Sequence, residues 1–346
     1  MTLPDFIIIG AMKCGTSTLH AQLAAQPQFF MSEPKEPNFF SDDGVYARGE
    51  GWYRALFSNA PAGAIKGESS THYTKLPTYP KTIERLAALI PNAKFIYVLR
   101  DPLDRLVSHY IHEWTQGIIA CPIDEAIDKH PELVAYSRYA YQLEPWVRQF
   151  GAGRILPVVF ENMTNAPDRL ERIAAFLGAD GDVEWKGDLD AQNVSSERIR
   201  RFPGYSLIVE NPVATYLRRT LVQSLRERVK SGFQMRERPR LSQARIDELT
   251  EIFDADLRAL ESCRRMRGVG AEFFGSAQTG GEIRPSPANQ PRKSSLERRN
   301  GFRRIAAAAE HRPQKPEQDR RNNIAGEETA AAIGETSSGV TQERRA

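Results

Sequence analysis

The stretch that most limits the fold lies near the start of the chain: Phe6-Ile-Ile-Ile-Gly10, then Ala-Met-Lys13-Cys14-Gly15, then Thr16-Ser17-Thr18-Leu19-His-Ala-Gln-Leu23. An apolar, β-branched run ended by glycine reads as a short strand buried on both faces, as in a parallel sheet. The hydroxyl residues that follow, with Leu19 and Leu23 at helical spacing, open a helix. A loop joining such a strand to such a helix aims successive backbone N–H groups at one point, and the helix dipole adds partial positive charge there. That is an anion site, suited to phosphate or sulfate. Gly15 lets the backbone come close, and Thr16, Ser17 and Thr18 add hydroxyl donors. The simpler reading is a glycine-containing turn without a ligand. The buried strand, the lysine and the hydroxyl cluster count against it.

The pattern then alternates. Ile83–Ile90 is a predicted helix, broken by Pro91-Asn92, and Lys94–Leu99 a second buried strand. Asp104–Trp114 and Ala140–Phe150 read as helices, Ile155–Phe160 as a third strand, and Leu170–Leu177 as a helix closed by Gly178. Strands alternating with helices imply an α/β fold whose central parallel β-sheet is flanked by helices on both faces. From Ser195 to Cys263 the pattern is mostly helical, with Ser242 capping a long helix from Gln243 and a basic loop at Lys230–Arg240. From about residue 276 onward Gly, Pro, Ser, Gln, Arg and Glu dominate, and such a segment cannot bury enough apolar surface to offset its ordering entropy. The organisation expected is one domain over 1–275 and a disordered polar tail over 276–346.

Composition narrows the function. The net charge is +3, but residues 276–346 hold 13 basic and 9 acidic residues, which leaves the rest at −1. Global charge therefore does not argue for nucleic-acid binding. No apolar run reaches the roughly 18 to 20 residues of a membrane span, and Met1–Gly15 lacks the form of a signal peptide. Three scattered cysteines form neither a disulfide framework nor a zinc spacing. A cytoplasmic protein is expected.

A second anchor closes the second strand: Arg100-Asp101-Pro102, with Ser108 eight residues after the arginine. Arg100 and Ser108 can hold a second phosphate, the arginine through its forked donors. The plainer alternative is an ordinary helix-capping arrangement, and another makes Asp101 a magnesium ligand. His109 and His112 share a helical face, but such a pair is more often structural, and no group has convincing metal-ligand spacing. Gly10 and Gly15 keep the glycine spacing of nucleotide kinases, yet Thr16 stands where their lysine belongs and the lysine is Lys13.

Lys13-Cys-Gly-Thr-Ser-Thr-Leu19 resembles the 5′-phosphosulfate loop of the sulfotransferases that use 3′-phosphoadenosine 5′-phosphosulfate (PAPS), and Arg-Asp-Pro with Ser108 resembles their 3′-phosphate motif. The resemblance implies a P-loop-like sulfotransferase fold. It implies Lys13, Cys14, Gly15, Thr16, Ser17 and Thr18 at the phosphosulfate, with Arg100 and Ser108 at the 3′-phosphate. Lys13 would touch the bridging oxygen that leaves sulfur. Glu33–Phe40, Gly51-Trp-Tyr53, Lys66–Tyr73 and Ser137–Trp146 are similar to the carbohydrate branch typified by heparan sulfate sulfotransferases. There the catalytic glutamate falls on Glu36, and the acceptor-side residues on Asn38, Glu68, Tyr73, Tyr139 and Gln142. The likeness spans about residues 5–180. This chain has Ser69 where animal enzymes often carry lysine and Asn38 where some carry histidine, and it lacks their cysteine pair, so a heparan sulfate acceptor is not implied.

Sulfuryl transfer, like phosphoryl transfer, rests on positioning and electrostatics, and its smaller charge makes a metal less necessary. A base must take the acceptor's proton. Glu36 is the first candidate, held extended by Pro34 and Pro37, and His72 the second. Two other functions compete: a nucleotide kinase or NTPase of the P-loop class, and a non-catalytic nucleotide-binding scaffold with its tail as an interaction arm.

Overall fold

Strand β1, Phe6–Gly10, is buried along its whole length and lies at the middle of a five-stranded sheet. The chain continues into α1 (Thr16–Ala24) and then β2 (Phe29–Met31). Two short helices, α2 (Asp43–Tyr46) and α3 (Gly49–Ala55), precede β3 (Ile65–Ser69), a 3-10 turn at Thr71–Thr74, and α4 (Thr82–Leu89). Then come β4 (Lys94–Leu99), α5 (Pro102–Thr115), α6 (Ile123–Lys129), α7 (Glu132–Ala135) and α8 (Tyr139–Phe150). After these follow β5 (Ile155–Val159), α9 (Phe160–Asn165), α10 (Arg169–Leu177) and α11 (Gln243–Met266). This computed structural model describes residues 3–165, 168–189, 235 and 237–266. The helical pattern at 195–234, most of the basic loop and the segment 276–346 lie outside them.

The sheet order is β2-β3-β1-β4-β5, and every pairing is parallel. The expected α/β class and the β1, β4 and β5 strands hold. Phe160 opens α9 instead of ending β5. β2 and β3 are additions to the sequence reading. Gly67 in β3 has a packing cause: a Cβ there would come within 2.2 Å of the Phe6 ring. Helix ends follow their signals. Pro102 sits in the first turn of α5, the Asp101 carboxylate accepts from Asp104 N at 3.0 Å, and Gly178 (φ 82°) ends α10. Ser242 Oγ accepts from Arg245 N at 3.3 Å at the start of α11.

One apolar core surrounds the sheet, with Phe6, Ile7, Ile8, Phe95, Ile96 and Trp146 fully buried. A second joins α5, α6 and α7 to α11 through Leu106, Ile123, Leu133, Leu249 and Phe253. Because β1 is flanked by β3 on one side and β4 on the other, the loops after these three strands open together at the C-terminal ends. Ligands of open α/β sheets bind at such a switch point. Among the described residues no helix is long and apolar enough to cross a membrane.

Candidate active site

The loop after β1 is tightly shaped. Gly10 turns away at φ 154°, where a Cβ would fall 2.1 Å from Thr74 Oγ1. Lys13 takes φ 70° and Gly15 φ 84°, and a side chain on Gly15 would strike the Phe160 ring at 2.6 Å. Ala11 N donates to Val98 O at 2.9 Å, which ties the loop to β4. Among the described residues the side chains of Thr16, Ser17 and Thr18 make no hydrogen bond, so their donors remain available at the N-terminus of α1. The Cys14 side chain points inward, 3.8 Å from Tyr139 Oη, and burial pushes its thiol up to about 11. Only its backbone can face an anion. Burial, then the Arg100 charge, lowers the Lys13 ammonium, while Glu113 and Glu36 oppose this.

Arg100 follows β4 directly. Tyr139 Oη donates to its carbonyl at 2.7 Å and accepts from its amide at 3.3 Å, so both sides of the peptide are fixed. The guanidinium lies 5.2 Å over the Phe160 ring, and its buried Nε has no hydrogen-bond partner. Asp101 is the α5 cap described above. Ser108 stands half-buried two turns into α5.

Glu36 lies across the opening, but not in an extended segment. Its φ is 59° and that of Asn38 is 54°. The cause is anchoring to the end of β3: Glu36 N donates to Ser69 O at 2.9 Å and Asn38 N to Ser70 Oγ at 3.1 Å, which forces two left-handed turns. Lys35 pairs with the Glu36 carboxylate at 2.7 Å, and Thr71 Oγ1 donates to it at 3.2 Å. Burial pushes this carboxyl up, but Lys35, then His72 and Lys75, outweigh burial and hold it below its ordinary value. The upward shift that an isolated glutamate would show on burial is thus reversed. His72 stacks on Tyr79 at 4.8 Å, and burial followed by Lys75 lowers it to about 4.

The remaining acceptor-side residues form a layer beneath. Asn38 has a buried, unpartnered Oδ1 and is half-buried. Glu68, Tyr73, Tyr139 and Gln142 are at most 1% exposed. Tyr73 Oη accepts from Phe40 N at 3.4 Å, Tyr139 holds Arg100, and Gln142 bonds both the amide (2.8 Å) and the carbonyl (2.9 Å) of Leu76. These three side chains hold the walls of the opening through backbone groups and present no free surface to a ligand. Glu68 makes no hydrogen bond of good geometry. Burial raises it to about 7, against the nearby hydroxyls of Tyr53, Tyr73 and Ser70.

Comparisons with known proteins bear on this arrangement. Residues 61–182 match the model of the sulfotransferase family. Over that segment the chain is similar to sulfotransferases. It is 33% identical over 189 residues to heparan sulfate glucosamine 3-O-sulfotransferase 3B1 of Mus musculus, a match covering 51% of this chain and 46% of that one. It is 29% identical over 198 residues to bifunctional heparan sulfate N-deacetylase/N-sulfotransferase 2 of Homo sapiens, covering 51% and 22%. The chain thus spans less than half the length of these relatives. A solved sulfotransferase from Alicyclobacillus acidocaldarius aligns with 29% identity and a TM-score of 0.47, over 55% of this chain and 89% of the other.

The structure also joins residues to which sequence reading gave no common role. Arg105, His109 and Glu113 stand at i, i+4 and i+8 on α5, so they share one face. Arg105 is wholly buried and donates to Ser137 Oγ (2.6 Å), Leu133 O (2.9 Å) and His109 Nδ1 (3.3 Å). An arginine can only donate, so His109 Nδ1 accepts and its Nε2 carries the proton toward Glu113 Oε1 at 3.3 Å. That bond holds Glu113 below the usual carboxylate range against the push of burial. The spacing was the available signal for this ladder. His109 is structural, as expected. Lys75, at the end of the 3-10 turn, also faces the opening: burial lowers its ammonium to about 8, while Glu36 and Glu113 oppose this. Among the described residues no group of three or more His, Cys, Asp or Glu side chains could hold a metal.

Proposed function

We propose that the chain is an enzyme that transfers a sulfuryl group from PAPS to a hydroxyl or amine of a carbohydrate acceptor. The observation carrying this reading is a pair of cationic side chains that, among the described residues, have no hydrogen-bond or ion partner, Lys13 after β1 and Arg100 after β4, at neighbouring strand ends beside three hydroxyls without a described partner. A buried guanidinium nitrogen without a partner is costly unless an anion satisfies it, so the residues fit a donor with two anionic ends. Lys13, Gly15, Thr16, Ser17, Thr18 and the Cys14 backbone would hold its phosphosulfate, and Arg100 and Ser108 its 3′-phosphate. PAPS supplies the activated sulfuryl group when bound.

Glu36 would take the proton from the acceptor. Held below its ordinary pKa, it is ionised at neutral pH and needs no deprotonation before it acts. Lys13 would neutralise charge on the departing oxygen. The carbohydrate class is supported by the relatives' named substrates; a particular sugar is not. We also propose that the folded domain ends near residue 275, on the low apolar content beyond it. A cytoplasmic location is proposed on the free thiols of Cys14 and Cys121.

Thermal melting tests the donor assignment. Adenosine 3′,5′-bisphosphate should raise the melting temperature more than AMP does, and Arg100→Ala should erase the difference. Equal stabilisation by both nucleotides, or turnover of ATP without PAPS, would overturn it. Labelled PAPS offered with a panel of sugars, phenols and lipids tests the acceptor class.

A further inference from the structure

Lys75 is placed with care and then left without a bond. Its backbone is held on both sides. Thr74 Oγ1 donates to Ile9 O at 2.7 Å, and Gln142 grips both polar groups of Leu76. Lys75 O in turn accepts from Thr78 N at 2.8 Å. Yet among the described residues its half-buried ammonium has no hydrogen bond or ion pair, only the Tyr136 ring at 5.9 Å. Glu36 and Glu113 act on it from beyond ion-pair distance. A partly buried ammonium with no acceptor loses solvation and regains nothing until an anionic group reaches it.

The position says which molecule would bring that group. Glu36 and Glu113 are carboxylates whose charge acts on Lys75. Glu36 and Glu113 act on Lys13 as well. Lys75 follows directly on the 3-10 turn whose Thr71 Oγ1 donates to the Glu36 carboxylate at 3.2 Å and whose Thr74 Oγ1 is tied to Ile9 O, so it stands on the Glu36 side of the opening, at the C-terminal ends of β1 and β3. Ser69 leaves the end of β3 without a cation, and Lys75 supplies one six residues later.

We propose that Lys75 is an acceptor-side specificity residue that receives an anionic substituent, a carboxylate or sulfate, of the molecule to be sulfated. This rests on the sulfotransferase reading above. It makes Gln142 a positioning residue that acts through the Leu76 backbone, and it gives the acceptor two contacts, a hydroxyl at Glu36 and an anion at Lys75.

The test uses the full chain, loaded with adenosine 3′,5′-bisphosphate, and two disaccharides alike except that one carries glucuronate where the other has glucose. Calorimetry should show the glucuronate form binding more tightly to the parent chain. Lys75→Gln should weaken that binding about tenfold or more, the scale of a hydrogen bond between charged groups. Binding of the glucose form should stay within about twofold, Lys75→Arg should restore part of the loss, and the melting shift given by the nucleotide should not move. With labelled PAPS the loss should appear in KM for the glucuronate form and not for the glucose form. Equal affinity of the parent chain for both disaccharides, or equal losses for both in Lys75→Gln, would overturn the assignment of Lys75. Tighter glucuronate binding that depends on Lys75, without transfer to any acceptor, would uphold it and overturn the enzymatic reading alone.

Discussion

At the N-terminal ends of the strands Lys66 pairs with Asp5 at 2.8 Å and Lys94 donates to Phe176 O at 2.7 Å; at the C-terminal ends Lys13 and Lys75 have no such partner among the described residues. The N-terminal end even carries an opening of its own, a cavity of about 810 Å³ bounded by Asp5, Phe6, Lys66 and Lys94 among others. Volume does not mark the functional end. What differs is the state of the charges: satisfied below, unsatisfied above. Backbone strain follows the same division, with the left-handed residues Lys13, Glu36 and Asn38 all at the C-terminal end. Conformations that are costly for side-chain-bearing residues persist where surrounding structure over-determines them, and such places are commonly ligand sites.

Substitutions at the two ends should separate them. The largest effect is expected at Glu36. Glu36→Gln keeps size and hydrogen bonding but removes the proton acceptor, and turnover of PAPS with an accepted sugar should fall about a hundredfold or more. Affinity for adenosine 3′,5′-bisphosphate, measured by calorimetry, should hardly change. Near-normal turnover in Glu36→Gln together with loss in His72→Ala would assign the base to His72.

A smaller effect, on stability, is expected beneath the site. Glu68 has its folded pKa raised to about 7 by burial, above an unfolded value near 4.5. The folded state then holds the proton more tightly. Its stabilising contribution is complete below pH 4.5 and is lost as pH rises through 7, by about 3 kcal/mol. Glu68→Gln should remove that slope, so its melting temperature gains on the parent between pH 5 and 8. Half-buried His20 and His72 and buried His109, each lowered to about 4 with burial as the first cause, act in the opposite sense. The difference between variant and parent isolates Glu68. A parallel pair of curves would show that Glu68 is ionised in the fold.

The smallest effect is expected at the satisfied end. Lys66→Ala breaks a pair whose Asp5 side chain is half exposed, and such pairs contribute about 0 to 1 kcal/mol. Its kcat and KM should stay within about twofold of the parent, and a tenfold loss would erase the distinction between the two ends.

The local signals of β1, its loop, β4 and α5 were all legible in the chain, because a buried apolar run, a glycine and a proline each act within a few residues. β3 was not. Ile65-Lys-Gly-Glu-Ser69 has neither an apolar run nor clean alternation, and it becomes a central strand because Gly67 admits the Phe6 ring and Ser70 N reaches Ile8 O at 3.1 Å. These are non-local causes. Glu36 could be named from its motif, but its charge environment could not. Lys75 and His72 come to it from 36 to 39 residues along the chain, and only the fold sets them beside it. The same holds for Tyr139 and Gln142, which a motif groups with the acceptor and the structure binds to backbone.

The Asp256 carboxylate of α11 accepts from the amides of Ala140 and Tyr141, at 2.8 and 3.2 Å, and so completes the first turn of α8. Tyr139, which fixes Arg100, opens that same turn. The cap and its helix are 116 positions apart. At the usual pace of translation, about 5 to 20 residues per second, α8 waits roughly 6 to 23 seconds for its cap. During that wait the nascent chain already contains the phosphate loop, Glu36 and Arg100. The tie between Arg100, the proposed 3′-phosphate anchor, and the rest of the cleft is finished only with α11, so a ribosome stalled before residue 256 would hold a chain with Lys13, Glu36 and Arg100 in place and an unfinished site.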